Sequence, residues 1–173
     1  MAATFVVEDG TGKTDANSYV SLADADQYHE NNSGSTTWSG ATDANKQKAL
    51  RLATQYVDAR YDGRWRGFQA TSTQALAWPR MTAYDNEGYV YDSDAVPQRL
   101  ADAVSELALR LIDGDTLFED QSKPGVIKTK SVRAGPISRT VEYVGGMNQV
   151  KKYPLIEALV APLILGSGVL ERG

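Results

Sequence analysis

The segment from Asp43 to Tyr61 constrains the fold more than any other part of the sequence. Its apolar residues recur at the i, i+3, i+4 and i+7 positions of a helix with one buried face. That stripe consists of Ala49, Leu52, Ala53, Tyr56, Val57 and Arg60. The residues between them form a charged outer face: Lys46, Lys48, Arg51, Gln55 and Asp58. Asp43 is a suitable N-cap and Gly63 follows the expected end, so the pattern predicts one long amphipathic helix.

A second helix is predicted over about residues 95–113. Pro97 lies in its first turn, and Gly114 ends it. Its apolar stripe consists of Leu100, Ala103, Val104, Leu107, Ala108 and Leu111. Two amphipathic helices joined by a long connection bury their stripes best against each other, as an antiparallel pair. The predicted fold class is therefore mainly α, with a small antiparallel helical bundle at its centre.

Shorter elements surround this pair. Ser21, with an acidic residue three positions later, is the expected N-cap of a short helix. Trp38 lies in a Ser-, Thr- and Gly-rich stretch that is typical of a loop. Two β-rich runs flank Ala134-Gly135-Pro136 and predict a hairpin over residues 126–144. A last helix opens at Pro154 and is limited by a second proline.

The length of 173 residues fits one domain with a real hydrophobic core. We expect a single helical domain over residues 1–165, from which the hairpin at 126–144 projects. Residues 166–173 contain Gly166 and Gly168 and are expected to form a flexible, extended C-terminal arm. The longest apolar run is too short and too interrupted to span a bilayer, so no membrane partner is expected. No basic-then-apolar leader opens the sequence, and we expect the chain to be cytoplasmic in the cell that produces it.

The composition leaves little material for catalysis. The net charge is −4, there is no cysteine, and His29 is the single histidine, which leaves no cysteine-based metal site and little for a Ser-His-Asp relay. Gly12-Lys13-Thr14 resembles the tail of a phosphate-binding loop, but Val7 occupies the position of the first glycine. Acidic pairs at Asp24/Asp26, Asp92/Asp94 and Asp113/Asp115 are typical of helix caps and solvated turns. We predict no enzyme, no cofactor, and no catalytic or metal-binding residue.

One basic–aromatic cluster, Arg64-Trp65-Arg66-Gly67-Phe68, permits two interpretations. Proteins that bind single-stranded nucleic acid stack bases on such rings and hold phosphates with such arginines, which makes Arg64, Trp65, Arg66 and Phe68 candidate contacts. Alternatively, the rings of Trp65, Phe68 and Trp78 cover the end of the helix pair while the arginines pair with Asp58 and Asp62. We favour the structural interpretation because acidic blocks flank the cluster and repel a phosphate backbone.

Charged residues alternate in blocks along the chain. Residues 46–80 and 121–173 are mainly basic, whereas 1–45 and 81–120 are mainly acidic. Such blocks suit a chain that contacts copies of itself or a charged neighbour, and they equally suit solvated faces with internal ion pairs.

Several short sequence motifs, in the order in which they occur along the chain, resemble those of one protein family. They are Asp9-Gly10-Thr11-Gly12, Ala16-Asn17-Ser18-Tyr19-Val20-Ser21, Gly63-Arg64-Trp65, Ala75-Leu76-Ala77-Trp78-Pro79-Arg80 and Val132-Arg133-Ala134-Gly135-Pro136-Ile137. Over nearly its whole length the chain resembles tailed-phage proteins labelled DnaT-like single-stranded-DNA-binding proteins. Their size and their layout of helices and a hairpin are similar to those of phage head–tail connector (adaptor) proteins.

The connector resemblance implies a structural virion protein in the neck, assembled in the host cytoplasm. It implies a ring of identical subunits, dodecameric by analogy, that docks under the portal protein and meets a downstream tail or stopper protein. Genomic DNA passing through the lumen is then at most a passing contact. Leu165, Val169, Leu170 and Arg172 are the expected portal contacts. The alternative is a single-stranded-DNA-binding protein, as the family label says.

Overall fold

The computed structural model describes residues 4–117, 126–133, 138–144 and 152–166, and for 126–133 and 138–144 it describes the backbone alone. Five α-helices are present in these ranges: α1 Leu22–Asn32, α2 Thr36–Ser39, α3 Asp43–Tyr61, α4 Gln98–Ile112 and α5 Pro154–Val160. Four strands accompany them: β1 Phe68–Gln69, β2 Arg80–Met81, β3 Val126–Arg133 and β4 Ser138–Val144. Within the described ranges the helices hold far more residues than the strands do, which confirms the predicted mainly α fold class.

The chain divides into two compact units. The larger consists of residues 1–117 and 153–173, and the smaller of residues 118–152. In the smaller unit β3 and β4 form the predicted antiparallel hairpin, in which Val126 pairs with Val144 and Arg133 pairs with Ser138.

The centre of the larger unit is the pair of long helices. Among the helices, α3 packs most extensively against α4. A cleft near the start of α3 is lined by Asn45 and Ala49 of that helix and by Leu111 and Ile112 at the end of α4. Because the start of one helix lies beside the end of the other, the pair is antiparallel, as predicted.

The α4 stripe is buried as predicted. Leu100, Ala103, Val104, Leu107 and Ala108 have no exposed surface, and Leu111 is half-buried. Pro97 occupies the N-cap position, and α4 begins one residue later.

The buried face of α3 is wider than the predicted stripe and rotated from it. Leu50, Thr54 and Tyr61 are buried, whereas Leu52 and Tyr56 are half-buried. The reason is that α3 packs against the N-terminal segment as well as α4, since the Tyr19 N–H donates to Thr54 Oγ1 (3.3 Å). Arg60, the last residue of the predicted stripe, is exposed. The expected N-cap was also wrong by one residue, because the side chain of Thr42 caps α3 and Asp43 opens it.

Lys46 was expected on the outer face of α3 but is buried. Its Nζ donates to Asp26 Oδ1 (2.8 Å) and lies 5.4 Å from the ring centroid of Trp38. The same carboxylate oxygen accepts the indole N–H of Trp38 (2.7 Å), which lies in α2 and not in a loop. One carboxylate on α1 thus holds a lysine of α3 and a tryptophan of α2.

Candidate functional site

The basic–aromatic segment, residues 64–68, pairs in antiparallel fashion with the chain after α5. The Leu165 N–H donates to the Arg64 carbonyl (2.7 Å), and the Arg66 N–H donates to the Leu163 carbonyl (3.1 Å). Between these two bonds, Trp65 lies opposite Ile164. The structure therefore brings together the two sets of candidate residues that lie far apart in the sequence.

Of the four expected portal contacts, only Leu165 falls in the described part of the chain. Its backbone is held by Arg64, and 56% of its surface is exposed. Val169, Leu170 and Arg172 lie outside the described residues, as does the expected flexible arm beyond Gly166.

The guanidinium of Arg66 is used inside the protein. Its Nε donates to the Ile164 carbonyl (3.0 Å), and its Nη1 donates to the carbonyls of Tyr84 (3.0 Å) and Asp85 (3.3 Å). Its Nη2 donates to the side chain of Asn86 (2.7 Å). Because the donors are aimed at protein acceptors, Arg66 joins the C-terminal segment to the turn at 84–86 and is not presented as a free cation.

Arg80 has a similar internal role. Its Nε donates to the Arg66 carbonyl (2.7 Å), its Nη1 to the Ala77 carbonyl (3.0 Å) and its Nη2 to the Gly67 carbonyl (2.7 Å). Burial lowers the pKa of Arg80 from its usual value. The arginines were expected to pair with Asp58 and Asp62; in the described residues Arg66 and Arg80 bind backbone carbonyls instead.

The aromatic residues divide into buried and exposed. Trp65 is 5% exposed and Trp78 is fully buried, with their ring centroids 6.2 Å apart in an edge-on arrangement. These two rings form core, as the structural interpretation predicted, and they present no open face for a base. Phe68 was expected to join them, but it is 72% exposed.

Phe68 is one of the exposed apolar side chains in the segments that follow α3 and α5, and we use the name Phe68 surface for five of them: Phe68, Met81, Tyr84, Val90 and Leu165. Phe68 lies opposite Met81 in the β1–β2 pair, and Tyr84 lies opposite Val90 in an antiparallel bridge. Side chains opposite each other in such pairs share a face. The backbone at residue 67 lies so close to the backbone of Met81 that only glycine fits there. A Cβ at this position would lie 2.2 Å from the Met81 carbonyl oxygen.

Asp58 anchors the segment that leads into Trp78. Its Oδ1 accepts the Tyr19 hydroxyl (2.7 Å), and its Oδ2 accepts the Ala77 N–H (3.0 Å). The Trp78 N–H donates to the same Tyr19 hydroxyl (3.1 Å). Burial raises the pKa of Asp58 to about 6, although the two hydrogen bonds favour the carboxylate. Asp58, expected on the outer face of α3, therefore fixes the backbone entering Trp78.

The glycine-rich loop near the N-terminus is a turn built around a carboxylate of its own chain. Glu8 is buried, and its Oε1 accepts the N–H groups of Gly10 (2.9 Å) and Gly12 (2.8 Å). Its Oε2 accepts the N–H of Lys13 (2.8 Å). The N–H groups that would face a phosphate are thus occupied by Glu8.

The remaining candidates for chemistry have structural partners. His29 is buried; its ring nitrogens lie 3.1 Å from the Ser105 carbonyl and 3.2 Å from Ser33 Oγ, and burial lowers its pKa. Ser21 caps α1, because its Oγ accepts the Asp24 N–H (3.1 Å) and donates to the Asp24 carboxylate (2.6 Å). No group of three acidic or histidine side chains placed to hold a metal ion occurs in the described ranges. Nor is any helix within them long and apolar enough to cross a membrane.

The residues that sequence reasoning missed at this site are bonded through backbone atoms. The pairing of residues 163–165 with 64–66 uses main-chain groups, and so do most acceptors of Arg66 and Arg80. Every residue type except proline carries both main-chain groups, so no pattern in the sequence points to these partners. The exposure of Met81 and Tyr84 could not be predicted either, because the connection between α3 and α4 shows no periodic pattern of apolar residues.

Comparison with known protein families gives a match that covers nearly the whole chain. The model of the family described as "Putative DnaT-like ssDNA binding protein" matches residues 3–173. No curated protein and no solved structure matches the chain. Since the family model covers nearly the entire sequence, the chain belongs to the DnaT-like single-stranded-DNA-binding protein family.

Proposed function

We propose that this chain is a structural adaptor, a subunit of a ring that docks under the portal of a tailed phage and links the capsid to the tail. The observation that carries the proposal is the Phe68 surface, where apolar side chains are exposed while Arg66 and Arg80 are used internally. Large apolar side chains left exposed in opposed pairs, such as Phe68 with Met81 and Tyr84 with Val90, suit a protein–protein contact. The resemblance of the sequence to connector proteins supplies the kind of partner, and the family description does not mention a virion.

In this function the partners are copies of the same chain, the portal protein, and a downstream tail or stopper protein. DNA is a passing contact in the lumen. The protein is located in the virion neck after assembly in the host cytoplasm. The portal contacts are Leu165, which is exposed, and Val169, Leu170 and Arg172 after it. An apolar side chain buried in a portal groove contributes about 1.5–3 kcal/mol, and Arg172 pairs with a carboxylate at its rim.

The test mixes the purified chain with the portal protein of the same phage. Negative-stain images are expected to show rings, and the chain is expected to co-sediment with portal. A chain that lacks residues 167–173 is expected not to co-sediment with portal. The Phe68→Ser variant is expected to co-sediment in a smaller amount. Lys48→Ser, an exposed change on α3, serves as the matched control. A protein that stays monomeric and does not co-sediment with portal under any condition tested would contradict the adaptor function.

The second candidate function is binding of single-stranded DNA, and the family match favours it. The comparisons support this function more directly than they support the adaptor. The side chains available for it are the exposed ring of Phe68, the exposed Arg60 and the half-buried Arg64. Trp65 and Arg66, the other two candidate contacts, are buried and internally bonded respectively. Stacking on Phe68 with phosphates held by Arg60 and Arg64 is the arrangement this function requires.

A gel shift with a single-stranded oligonucleotide separates the two functions. At about 0.15 M salt, non-specific binding through phosphates is strongly weakened, so retained binding indicates a specific surface. DNA binding predicts that Phe68→Ala and Arg64→Ala each weaken the shift while Lys48→Ala leaves it unchanged. The adaptor function predicts no shift at this salt with any of these proteins.

A further inference from the structure

A groove of about 660 Å³ lies between α1 and α4. The carboxylates of Asp24 on α1 and Asp102 on α4 line it, whereas among the described residues no lysine or arginine does. A third carboxylate lies at its edge, because Glu106 Oε1 accepts the hydroxyl of Tyr28, a lining residue (3.1 Å). Part of the wall is apolar and consists of Val20, Val96, Ala101 and Leu159. The groove therefore offers negative charge beside apolar surface.

The three carboxylates of the groove have no cation beside them. Asp24, Asp102 and Glu106 each accept a hydrogen bond from a neutral side chain. In the part of the chain that the structure describes, the carboxylates that form an ion pair with a lysine are those of Asp9 and Asp26. The negative charge of the groove is therefore not neutralised by a cation within these ranges.

Asp102 and Glu106 form a pair on α4. They are separated by one helical turn, at positions i and i+4, so their side chains are neighbours on one face of the helix. Both residues are half-buried. Burial raises the pKa of Tyr28, and the charges of Glu106 and Asp102 raise it further, as expected for a phenol that lies close to both. The pair presents two neighbouring acceptors for two cations.

Two arginines at the end of α3 have the opposite character. The guanidinium carbons of Arg60 and Arg64 lie 5.6 Å and 5.9 Å from the ring centroid of Tyr61, so one ring orients both groups. Arg60 is exposed, and Arg64 is half-buried. Within the described residues neither arginine forms an ion pair, and neither lines the groove of its own chain. Unlike Arg66, this pair is available to carboxylates of another molecule.

The arginine pair matches the groove in number, charge and chemistry. A guanidinium group forms two parallel hydrogen bonds with a carboxylate, and two such groups beside one ring match two carboxylates one helical turn apart. The methylene stems of arginine pack on apolar surface while the charged ends reach polar groups, which suits the partly apolar wall. Because one chain carries both surfaces, a second copy of the same chain has the complementary charge.

We infer that Arg60 and Arg64 of one copy dock in the groove of a second copy, where they pair with Asp102 and Glu106. The donating and accepting surfaces are different, so the contact is head-to-tail, and contacts of this kind close into rings. The inference rests on the proposed function in one respect, the assembly of copies into a ring, and it adds the residues that join them.

Charge reversal in the full-length protein tests this contact. One variant carries Arg60→Glu with Arg64→Glu, and the other carries Asp102→Lys with Glu106→Lys. Each variant places like charges opposite each other, so alone it is expected to self-associate at least about tenfold more weakly than the natural chain. In an equimolar mixture every contact between the two variants again joins opposite charges, so association is expected to return. Sedimentation velocity measures the association.

The matched controls are Lys48→Glu and Glu87→Lys, single reversals at exposed residues outside both surfaces. Neither is expected to change the association. Recovery in the mixture requires two folded variants, so it separates loss of the contact from loss of the fold. A natural chain that stays monomeric at every concentration, or folded variants whose mixture does not regain association, would overturn the inference.

Circular dichroism shows whether each reversed variant is folded. If a reversal unfolds the chain, the neutral variants Arg60→Gln with Arg64→Gln and Asp102→Asn with Glu106→Gln take its place. Each neutral pair removes the attraction without adding repulsion, so each is expected to weaken association. Unchanged association of both neutral variants would overturn the inference.

The result can be separated from that of the proposed function. If both reversed variants associate like the natural chain and co-sediment with portal, the inference fails and the adaptor function stands. If the mixture regains association but does not co-sediment with portal, the inference stands and the adaptor function fails. If the arginine reversal abolishes only the gel shift with a single-stranded oligonucleotide, the arginines bind nucleic acid, and the inference is overturned.

Discussion

The hydroxyl of Tyr19 donates a 2.7 Å hydrogen bond to the carboxylate of Asp58. The same hydroxyl accepts the backbone N–H of Trp78 at 3.1 Å. One phenol thus connects the N-terminal segment, α3 and the backbone of a core tryptophan. Tyr19 lies in the N-terminal segment and Asp58 lies in α3. The periodicity of the sequence did not predict that either residue faces the interior.

We predict that Tyr19→Phe destabilises the protein by about 1–3 kcal/mol, because it leaves the buried Trp78 N–H without an acceptor. Urea unfolding followed by circular dichroism measures the change. Tyr89→Phe is the matched control; Tyr89 is 70% exposed, and its change is expected to stay within about 0.5 kcal/mol. Equal effects of the two substitutions would mean that the Tyr19 hydroxyl carries no structural bond.

The Asp58 carboxyl is predicted to titrate near pH 6, because burial raises its pKa to about 6. In the unfolded chain an aspartate titrates near 3.9, so between about pH 4 and 6 the folded state binds more protons. The contribution of Asp58 to the free energy of unfolding therefore falls as pH rises through this window. NMR of the carboxyl carbon measures the midpoint, and Tyr19→Phe is expected to raise it by removing a bond to the carboxylate. A midpoint near 4 would contradict the prediction.

Leu107→Ala is predicted to cost about 2–5 kcal/mol, the usual loss for a fully buried leucine. Leu107 has no exposed surface in α4. Leu155→Ala makes the same chemical change at a residue that is 46% exposed, and it should cost much less. Chemical denaturation gives both values. A loss below about 0.5 kcal/mol at Leu107 is incompatible with the packing of α3 on α4.

Arg66→Ala is predicted to destabilise the fold by about 1–3 kcal/mol, because it leaves carbonyls of two segments without their donor. Arg64→Ala, two residues away, is the control: Arg64 lies 5.9 Å from the ring centroid of Tyr61, and its loss should cost about 0.5 kcal/mol. Thermal unfolding compares the two. If Arg64→Ala is the more damaging change, the assignment of Arg66 as the internal arginine is wrong.

The three tryptophans, Trp38, Trp65 and Trp78, are predicted to resist quenching by iodide, because none is more than 5% exposed. Their emission is also expected to be insensitive to added single-stranded oligonucleotide. Free tryptophan amide in the same buffer shows how far an open indole is quenched. Strong quenching by the oligonucleotide would mean that a ring stacks on bases, which would favour the DNA-binding function.

Elements whose pattern is local were predictable from the sequence. The stripe of α4 recurs every three to four residues because one face of that helix meets the core, and β3 and β4 are β-rich runs on either side of Ala134-Gly135-Pro136. The face of α3 was less predictable, because contacts from distant segments set it. The buried Thr54 accepts a hydrogen bond from Tyr19, and the buried Lys46 donates one to Asp26, and no local period connects these residues.

The sequence predicted which residues belong to the candidate site, but not how they are arranged. Arg64, Trp65, Arg66 and Phe68 stand out by composition, and Leu165 by resemblance. Which ring is buried depends on a strand pairing between the ends of α3 and α5. That pairing uses backbone groups, so side-chain types alone cannot show that Trp65 is core while Phe68 is exposed.

The short pairing of residues 163–165 with 64–66 also determines how the protein resists force. The two main-chain hydrogen bonds run across the strand direction, and the Arg66 side chain adds a third bond to Ile164. Tension applied along the chain at Gly166 loads these bonds together in shear, whereas a sideways pull breaks them one at a time. A load on the C-terminus along the strand axis is therefore passed into the end of α3 and, through Arg66, into the turn at 84–86.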